Sequence, residues 1–381
     1  MVLLFCIIAI SVLCSCVYDY TPEDASVQGL ESPLLVVDGD ILVGDFTRVK
    51  LSYTESILDE EETMPLGCTV MVEGENGEMV SAYPVEEESG VYQADTRGLD
   101  MDSKYRLFIS VPGRGEYASQ FKPVMISPPI DEITWFIAPD STYANIEVTT
   151  HNTGDEKLYC KWNYTENWES NSVFVPYLDY NPSANISFYL TQQEQNERVY
   201  CFSEAESHDV CISNTEKLST NIISEYVLKH IANTDTRVKG LYAITVTQKV
   251  LDKDGFMYWE ALKRNMAETG GIFSAQPSEH RGNVVSLTTP GEYVIGYISV
   301  STVSTVRQFI DWKKEGLFVT DCRYVKVTDE KGNGSMYRYY HSLGYRPVFI
   351  GDSGYYWSLL KCVDCRSYSN STKPDFWPRR I

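Results

Sequence analysis

The stretch Thr69-Val70-Met71-Val72-Glu73-Gly74-Glu75-Asn76-Gly77-Glu78-Met79-Val80-Ser81-Ala82-Tyr83 decides the fold. Two runs rich in strand-forming residues flank Asn76-Gly77, the dipeptide that tolerates the positive φ of a tight hairpin turn. Working outward, Leu34–Gly39 and Arg48–Tyr53 read as a strand pair upstream, and Val91–Ala94, Tyr105–Val111 and Tyr117–Phe121 as strands downstream. About seven short strands at this spacing predict an immunoglobulin-like or prealbumin-like β-sandwich over residues 34–125. Such a module more often presents or spaces something than carries catalysis.

Ser127-Pro128-Pro129 marks the expected boundary, because Pro donates nothing to a ladder and biases its predecessor away from helix. Residues 126–381 then read as a larger β-rich domain with helices near 219–233 and 253–268, so the fold class is mainly β. Strands are expected at Ile146–Thr149, Leu158–Tyr164, Val173–Val175, Leu241–Gln248, Asn283–Leu287, Tyr293–Val300 and Arg323–Val327, the last in a hairpin with Met336–Tyr340. In the first helix, Ser219-Thr220 serves as the cap, and Ile222, Ile223, Tyr226, Val227, His230 and Ile231 recur at the 3.6-residue period. In the second, Asp252 or Asp254 is the N-cap, and Phe256, Trp259, Leu262 and Met266 form the buried side.

At the other end of the chain an apolar run closes on Leu13-Cys14-Ser15-Cys16, the pattern of a bacterial lipoprotein processing site. Residues 1–15 are then a signal peptide, Cys16 the lipidated first residue of the mature chain, and 16–33 an acidic tether. Asp19, Glu23 and Asp24, soon after Cys16, resemble a surface-export tag of bacterial lipoproteins, which implies an outer-membrane location with the lipid as anchor and the body facing the cell exterior. The formal charge of −21 in 381 residues repels phosphate backbones, which argues against a nucleic-acid partner. The chain holds 27 Tyr, which serve equally as strand residues and as contact residues at binding surfaces. The acidic runs Asp59–Glu62 and Glu86–Glu88 read as solvated loop or strand ends.

Chemistry is sparse. Gly351-Asp352-Ser353-Gly354 looks like a protease nucleophile loop, but Tyr355 follows where that loop has Gly, so a hairpin turn is the better reading. His151, His208, His230, His280 and His341 are scattered, no zincin or nucleotide-binding motif occurs, and no catalytic residue, metal ligand or cofactor is assigned. Asp252-Lys253-Asp254-Gly255 resembles the start of an EF-hand loop without its later ligands. Cys160, Cys201, Cys211, Cys322, Cys362 and Cys365 are candidates for disulfides in an oxidising compartment, Cys201–Cys211 as a local loop and Cys322 with one of the final pair; Cys68 is the expected free thiol. Cys362-x-x-Cys365 alone is a weak zinc signal. Asp140-Ser141-Thr142 matches a short O-glycosylation motif with Ser141 as acceptor.

Tyr258–Asn265, Gly271–Ser278 followed by Arg281-Gly282-Asn283-Val284, Val294–Val300, and the ending Cys362-Val363-Asp364-Cys365-Arg366 with Lys373-Pro374-Asp375-Phe376-Trp377 together resemble the DUF4249 family of Bacteroidetes outer-membrane lipoproteins. The family has no assigned reaction. The resemblance implies an accessory protein that captures ligand for, or covers, a TonB-dependent transporter in nutrient uptake. A stand-alone binding or adhesion lipoprotein and a hydrolase of unfamiliar design are the alternatives, and the ligand is unknown.

Overall fold

The computed structural model describes residues 33–54, 64–268, 282–330, 332–352 and 354–378. Its first strands are β1 (Leu35–Leu42), β2 (Phe46–Tyr53), β3 (Thr69–Gly74), β4 (Met79–Pro84), β5 (Val91–Asp95), β6 (Lys104–Val111), β7 (Gly115–Ser119) and β8 (Lys122–Pro123). Gly77, at φ 90°, turns β3 into β4. β4 pairs with β3 along most of its length and with β5 through Tyr83 and Pro84. It thereby hands the chain from one half of the sheet to the other, in the order β7-β6-β3-β4-β5-β2-β1. Alternate residues of both halves (Val70, Val72, Leu107 and Ile109 against Leu35, Val37, Val49 and Leu51) meet in one core.

The chain continues through β9 (Ile130–Ile137), β10 (Tyr143–His151), β11 (Tyr159–Glu169), β12 (Leu178–Asn181), β13 (Ile186–Tyr189), α1 (Gln192–Val199), β14 (Phe202–Glu206), β15 (Cys211–Asn214), β16 (Ile222–Ala232) and β17 (Leu241–Val250). After them come α2 (Lys253–Glu268), β18 (Val284–Ser286), β19 (Val294–Ile295), β20 (Val300–Ser301), β21 (Val303–Asp311), β22 (Val325–Val327), α3 (Ser335–Ser342), β23 (Tyr345–Gly351), β24 (Gly354–Leu359) and α4 (Leu360–Val363). The sheets β16-β10-β9 and β14-β11-β17-β21 close over a shared core. This is the strand arrangement of a second immunoglobulin-like sandwich. Trp162, fully buried on β11, is its centre: Tyr226 stacks on the ring at 4.8 Å, and the indole N–H donates to Gln248 Oε1 at 2.8 Å.

The helix expected near 219–233 is instead β16. Two register shifts against β10 give β16 two extra residues, one between Lys229 and Val227 and one between Tyr226 and Ile223, with Glu225 at φ 52°. Bulges break strict alternation. Buried positions therefore fall at Ile223, Leu228 and Ile231, a spacing that imitates a helix, while His230 is exposed against Tyr143 rather than packed in a core. The second expected helix is α2, with the Asp252 carboxylate accepting from the Gly255 N–H at 3.0 Å. Met266 faces solvent instead of the buried side. Val173–Val175 is irregular rather than a strand, and Met336–Tyr340 lies in α3 rather than in a hairpin.

Residues 34–125 do not complete the first sheet alone. The excursion between β17 and β21 brings β19 and β20 parallel to β1, and β18 antiparallel to β7. The sheet is thus extended at both ends by one segment, and Asn283 bridges the remaining gap. Its buried amide accepts from the Ile298 N–H and donates to the Ile298 carbonyl, both at 2.8 Å, as a neighbouring strand residue would. Gly296, at φ 151°, passes so close to β1 that a Cβ there would fall 2.3 Å from the Val37 carbonyl oxygen. The expected boundary at Pro128-Pro129 is therefore crossed by later sequence. It is also crossed by ion pairs, Asp40 with Lys249 and Lys122 with Asp252, the second at 2.6 Å.

Candidate binding surface

A third body is assembled from two insertions. One, between β11 and β14, supplies the β12–β13 hairpin and α1; the other, after β21, supplies the sheet β22-β24-β23 with α3 and α4. The small core of this lobe is aromatic. Trp357 is fully buried, Tyr337 stacks on it at 5.8 Å, and Tyr180 meets it edge-on at 5.5 Å. The Tyr180 hydroxyl donates to Asn185 Oδ1 at 2.9 Å, and Asn185 itself abuts Gly334 at the start of α3, where no Cβ would fit. The hairpin tip and α3 are thereby locked together. A core of so few side chains buries little apolar surface, and small folds of that kind depend on covalent staples.

The staples are Cys201–Cys365 and Cys322–Cys362. The first ties the end of the first insertion to the C-terminal segment; the second ties the start of the second insertion to α4. Cys322 thus bonds one of the final pair, whereas the local Cys201–Cys211 loop is not formed, because Cys201 faces Cys365 and Cys211 points into the second sandwich core. Cys160 and Cys211 are buried free thiols beside the expected Cys68. Register explains why they stay apart: Cys211 stands opposite Trp162, and Cys160 opposite Ser213. Both members of Cys362-x-x-Cys365 are consumed by different partners. The Pro-Asp-Phe-Trp ending packs on the second sandwich, with Trp377 edge-on to Phe202 and Phe309 at 5.4 and 5.5 Å.

Several large apolar side chains of the lobe face solvent. Ile186, Phe188 and Tyr189 of β13 are exposed, Tyr189 at 74%, and so are Met336 and Tyr339 of α3 and Leu343 just after it. β13 pairs with β12 on one side only, and it carries no Pro, Lys or inward charge of the kind that blunts edge strands. In α3, Tyr337 and Tyr340 turn inward while Met336 and Tyr339 turn out, a division that follows the helical period. Exposed aromatic and Met side chains are of the kinds enriched at contact surfaces. Sequence reading missed these exposed side chains; the only signal for those on and beside α3 was the density of Tyr between 336 and 356.

Other expected sites fall elsewhere. Cys16 and the tether, Asp59–Glu62 and His280 lie outside the described residues. Ser141, at φ 55°, turns β9 into β10 and is half-buried, with its carbonyl accepting from Asn233 at 2.8 Å. Gly351 and Gly354 pair across the β23–β24 hairpin, with Asp352 leaving β23; Ser353 lies outside the described residues. His151 bonds Asp131, His230 lies on Tyr143, and His341 packs on Tyr180, so these histidines share no site. Among the described residues no cluster of three His, Cys, Asp or Glu could hold a metal.

At the junction of the sandwiches a charged cluster is buried. Asp40 bonds Lys249 and accepts from the Ser299 N–H at 3.2 Å. Burial pushes its carboxyl up, but Lys249 and Lys161 outweigh this and hold it below the usual value. Lys161 Nζ lies 3.2 Å from the Trp259 ring centroid. Burial, then the charge of Lys249, brings its pKa down to about 8. The cluster joins the two sandwiches, since Asp40 lies on β1 and Lys161 and Lys249 on β11 and β17.

With this geometry in hand, the sequence matches the family model "Domain of unknown function (DUF4249)" over residues 18–307. The chain belongs to the DUF4249 family. The matched span takes in both sandwiches and the first insertion of the lobe and ends within β21. No curated protein matches the sequence. Among solved structures, a DUF4785 family protein from Legionella pneumophila is similar at 10% identity and a TM-score of 0.18, with 56% of this chain and 52% of that one covered. A trypsin-activated alpha-2-macroglobulin from Escherichia coli is similar at 9% identity and a TM-score of 0.19, covering 59% of this chain and 15% of that one. This chain therefore spans about half of the first and a small fraction of the second.

Proposed function

We propose that this DUF4249 protein is a lipoprotein anchored through Cys16 in the outer membrane, and that its aromatic lobe docks on a TonB-dependent transporter as an accessory to uptake. The observation that carries the reading is the disulfide-stapled lobe with Ile186, Phe188, Tyr189, Met336 and Tyr339 turned outward. Two disulfides suit an oxidising compartment outside the cytoplasm. No helix among the described residues is long and apolar enough to cross a membrane, and a lipid is the attachment that the sequence offers. The two sandwiches act as a rigid stalk between that anchor and the lobe. The protein acts by binding, without a reaction of its own.

The test is purification of the C-terminally tagged chain from gently solubilised outer membranes, with mass spectrometry of its companions and of its N-terminal peptide. The reading expects an acylated Cys16 and a co-purifying β-barrel with a plug. An unmodified N-terminus at Cys16, or an acylated protein isolated alone, overturns it; the second outcome favours a stand-alone binding or adhesion protein.

A further inference from the structure

Where the second sandwich meets the lobe there is a cleft of about 460 Å³, with Thr234, Thr236 and Lys239 on the sandwich side and Asp321, Lys361 and Tyr368 on the lobe side. That volume is in the range of small-molecule sites. Its charges are unequally matched. Lys361 Nζ is held by Asp321 at 2.8 Å. Lys239 has neither a hydrogen bond nor an ion pair among the described residues, and its amine lies over the Tyr368 ring, 4.0 Å from the centroid. Burial, and after it the charge of Lys361, pushes the Lys239 pKa below the ordinary lysine value. In a chain of net charge −21, this is a half-buried cation next to a second cation, facing an opening.

We propose that this cleft binds a small hydroxylated monocarboxylate. The carboxylate lies against Lys239, the hydroxyls of the ligand meet Thr234 and Thr236, and its carbon skeleton rests on the exposed part of the Tyr368 ring. Of the carboxylates that act on Lys239, Asp321 is paired with Lys361 and Asp235 with Arg237, so the cleft keeps the one positive charge of Lys239. One negative charge is therefore matched, whereas a dianion would bring its second charge towards Asp321. The proposal is independent of transporter docking, which involves the outer face of the lobe and is read without ligand.

The experiment is calorimetric titration of the full detergent-solubilised protein with sodium gluconate, using glucose as the neutral counterpart and succinate and inorganic phosphate as dianionic probes. Gluconate is expected to bind and glucose not to. Lys239→Gln should weaken gluconate by about tenfold or more, and Lys239→Arg should retain most of the affinity. Asp321→Asn releases Lys361 and should strengthen both gluconate and succinate, succinate the more. Where rising pH begins to neutralise Lys239, binding should take up protons, because the carboxylate restores its charge. Thermal melts of each variant report folding separately. Equal binding of glucose and gluconate, an unchanged affinity in a folded Lys239→Gln, or no heat with gluconate at about 10 mM would overturn the proposal.

Discussion

Lys161 gives this fold a pH dependence that can be worked out from its surroundings. Its side chain sits on β11 in the junction of the two sandwiches, where Lys249 already occupies the Asp40 carboxylate. Burial, and then Lys249, lowers its pKa from 10.5 to about 8. The folded-state pKa is thus depressed below the unfolded value, so between the two the unfolded chain binds more protons and stability rises with pH. The full gap corresponds to about 3 kcal/mol, of which about 2 kcal/mol should appear from about pH 7 to about pH 9.5, before tyrosines begin to ionise. The buried thiols Cys160 and Cys211 have raised pKa values through burial and act in the opposite sense, since they keep their protons longer in the folded state. The reading is therefore the difference between two urea-denaturation series, one on the native chain and one on Lys161→Met. That variant should be at least as stable as the native chain near neutral pH, because it removes a buried charge that has no bonded carboxylate. Its advantage should shrink as pH rises. Parallel curves over the window, or an advantage that grows with pH, would refute the reasoning.

Three further outcomes are expected. Asn283→Ala leaves the Ile298 N–H and carbonyl without their partner in a buried position, and should cost about 3 kcal/mol and speed hydrogen exchange in β18–β20 more than in β9–β11. Gly296→Ala places a Cβ against the Val37 carbonyl at a positive φ and should lower the melting temperature of the first sandwich, read by the same exchange experiment. Replacing Cys322 and Cys362 together by Ala opens a loop of sequence separation 40, worth about 4 kcal/mol in the chain-entropy account, and should expose the lobe to limited proteolysis while both sandwiches resist.

The parts legible in the sequence were those fixed by local chemistry. Asn76-Gly77 sets its own turn, Asp252 caps α2, and Gly351 pairs with Gly354 across a hairpin whatever surrounds them. β16 was not legible, because its two bulges re-space Ile223, Leu228 and Ile231 and only pairing with β10 explains that spacing. In α3, the Tyr residues favour a strand as an isolated segment, but Tyr337 on Trp357 and Tyr340 on Tyr345 occupy i,i+3 positions on one face, and these contacts suit a helix. The return of residues 284–301 to β1 and β7 joins segments far apart in the chain and leaves no periodic trace. Disulfide connectivity was hidden for the same reason: adjacent Cys362 and Cys365 reach Cys322 and Cys201, partners that spacing cannot distinguish. The lobe surface was the least visible, since a Tyr-rich stretch reads equally as strand faces or as contacts until the fold shows which rings point outward.

The most direct test of the docking claim is co-purification from outer membranes with the lobe altered. Phe188→Ser with Tyr339→Ser removes two exposed rings without touching Trp357, Tyr180 or either disulfide, so the melting temperature and the acylation of Cys16 should stay as they are. The account predicts that a TonB-dependent transporter accompanies the native chain and is lost from the variant. A transporter retained equally by both, or absent from the native chain, would contradict it.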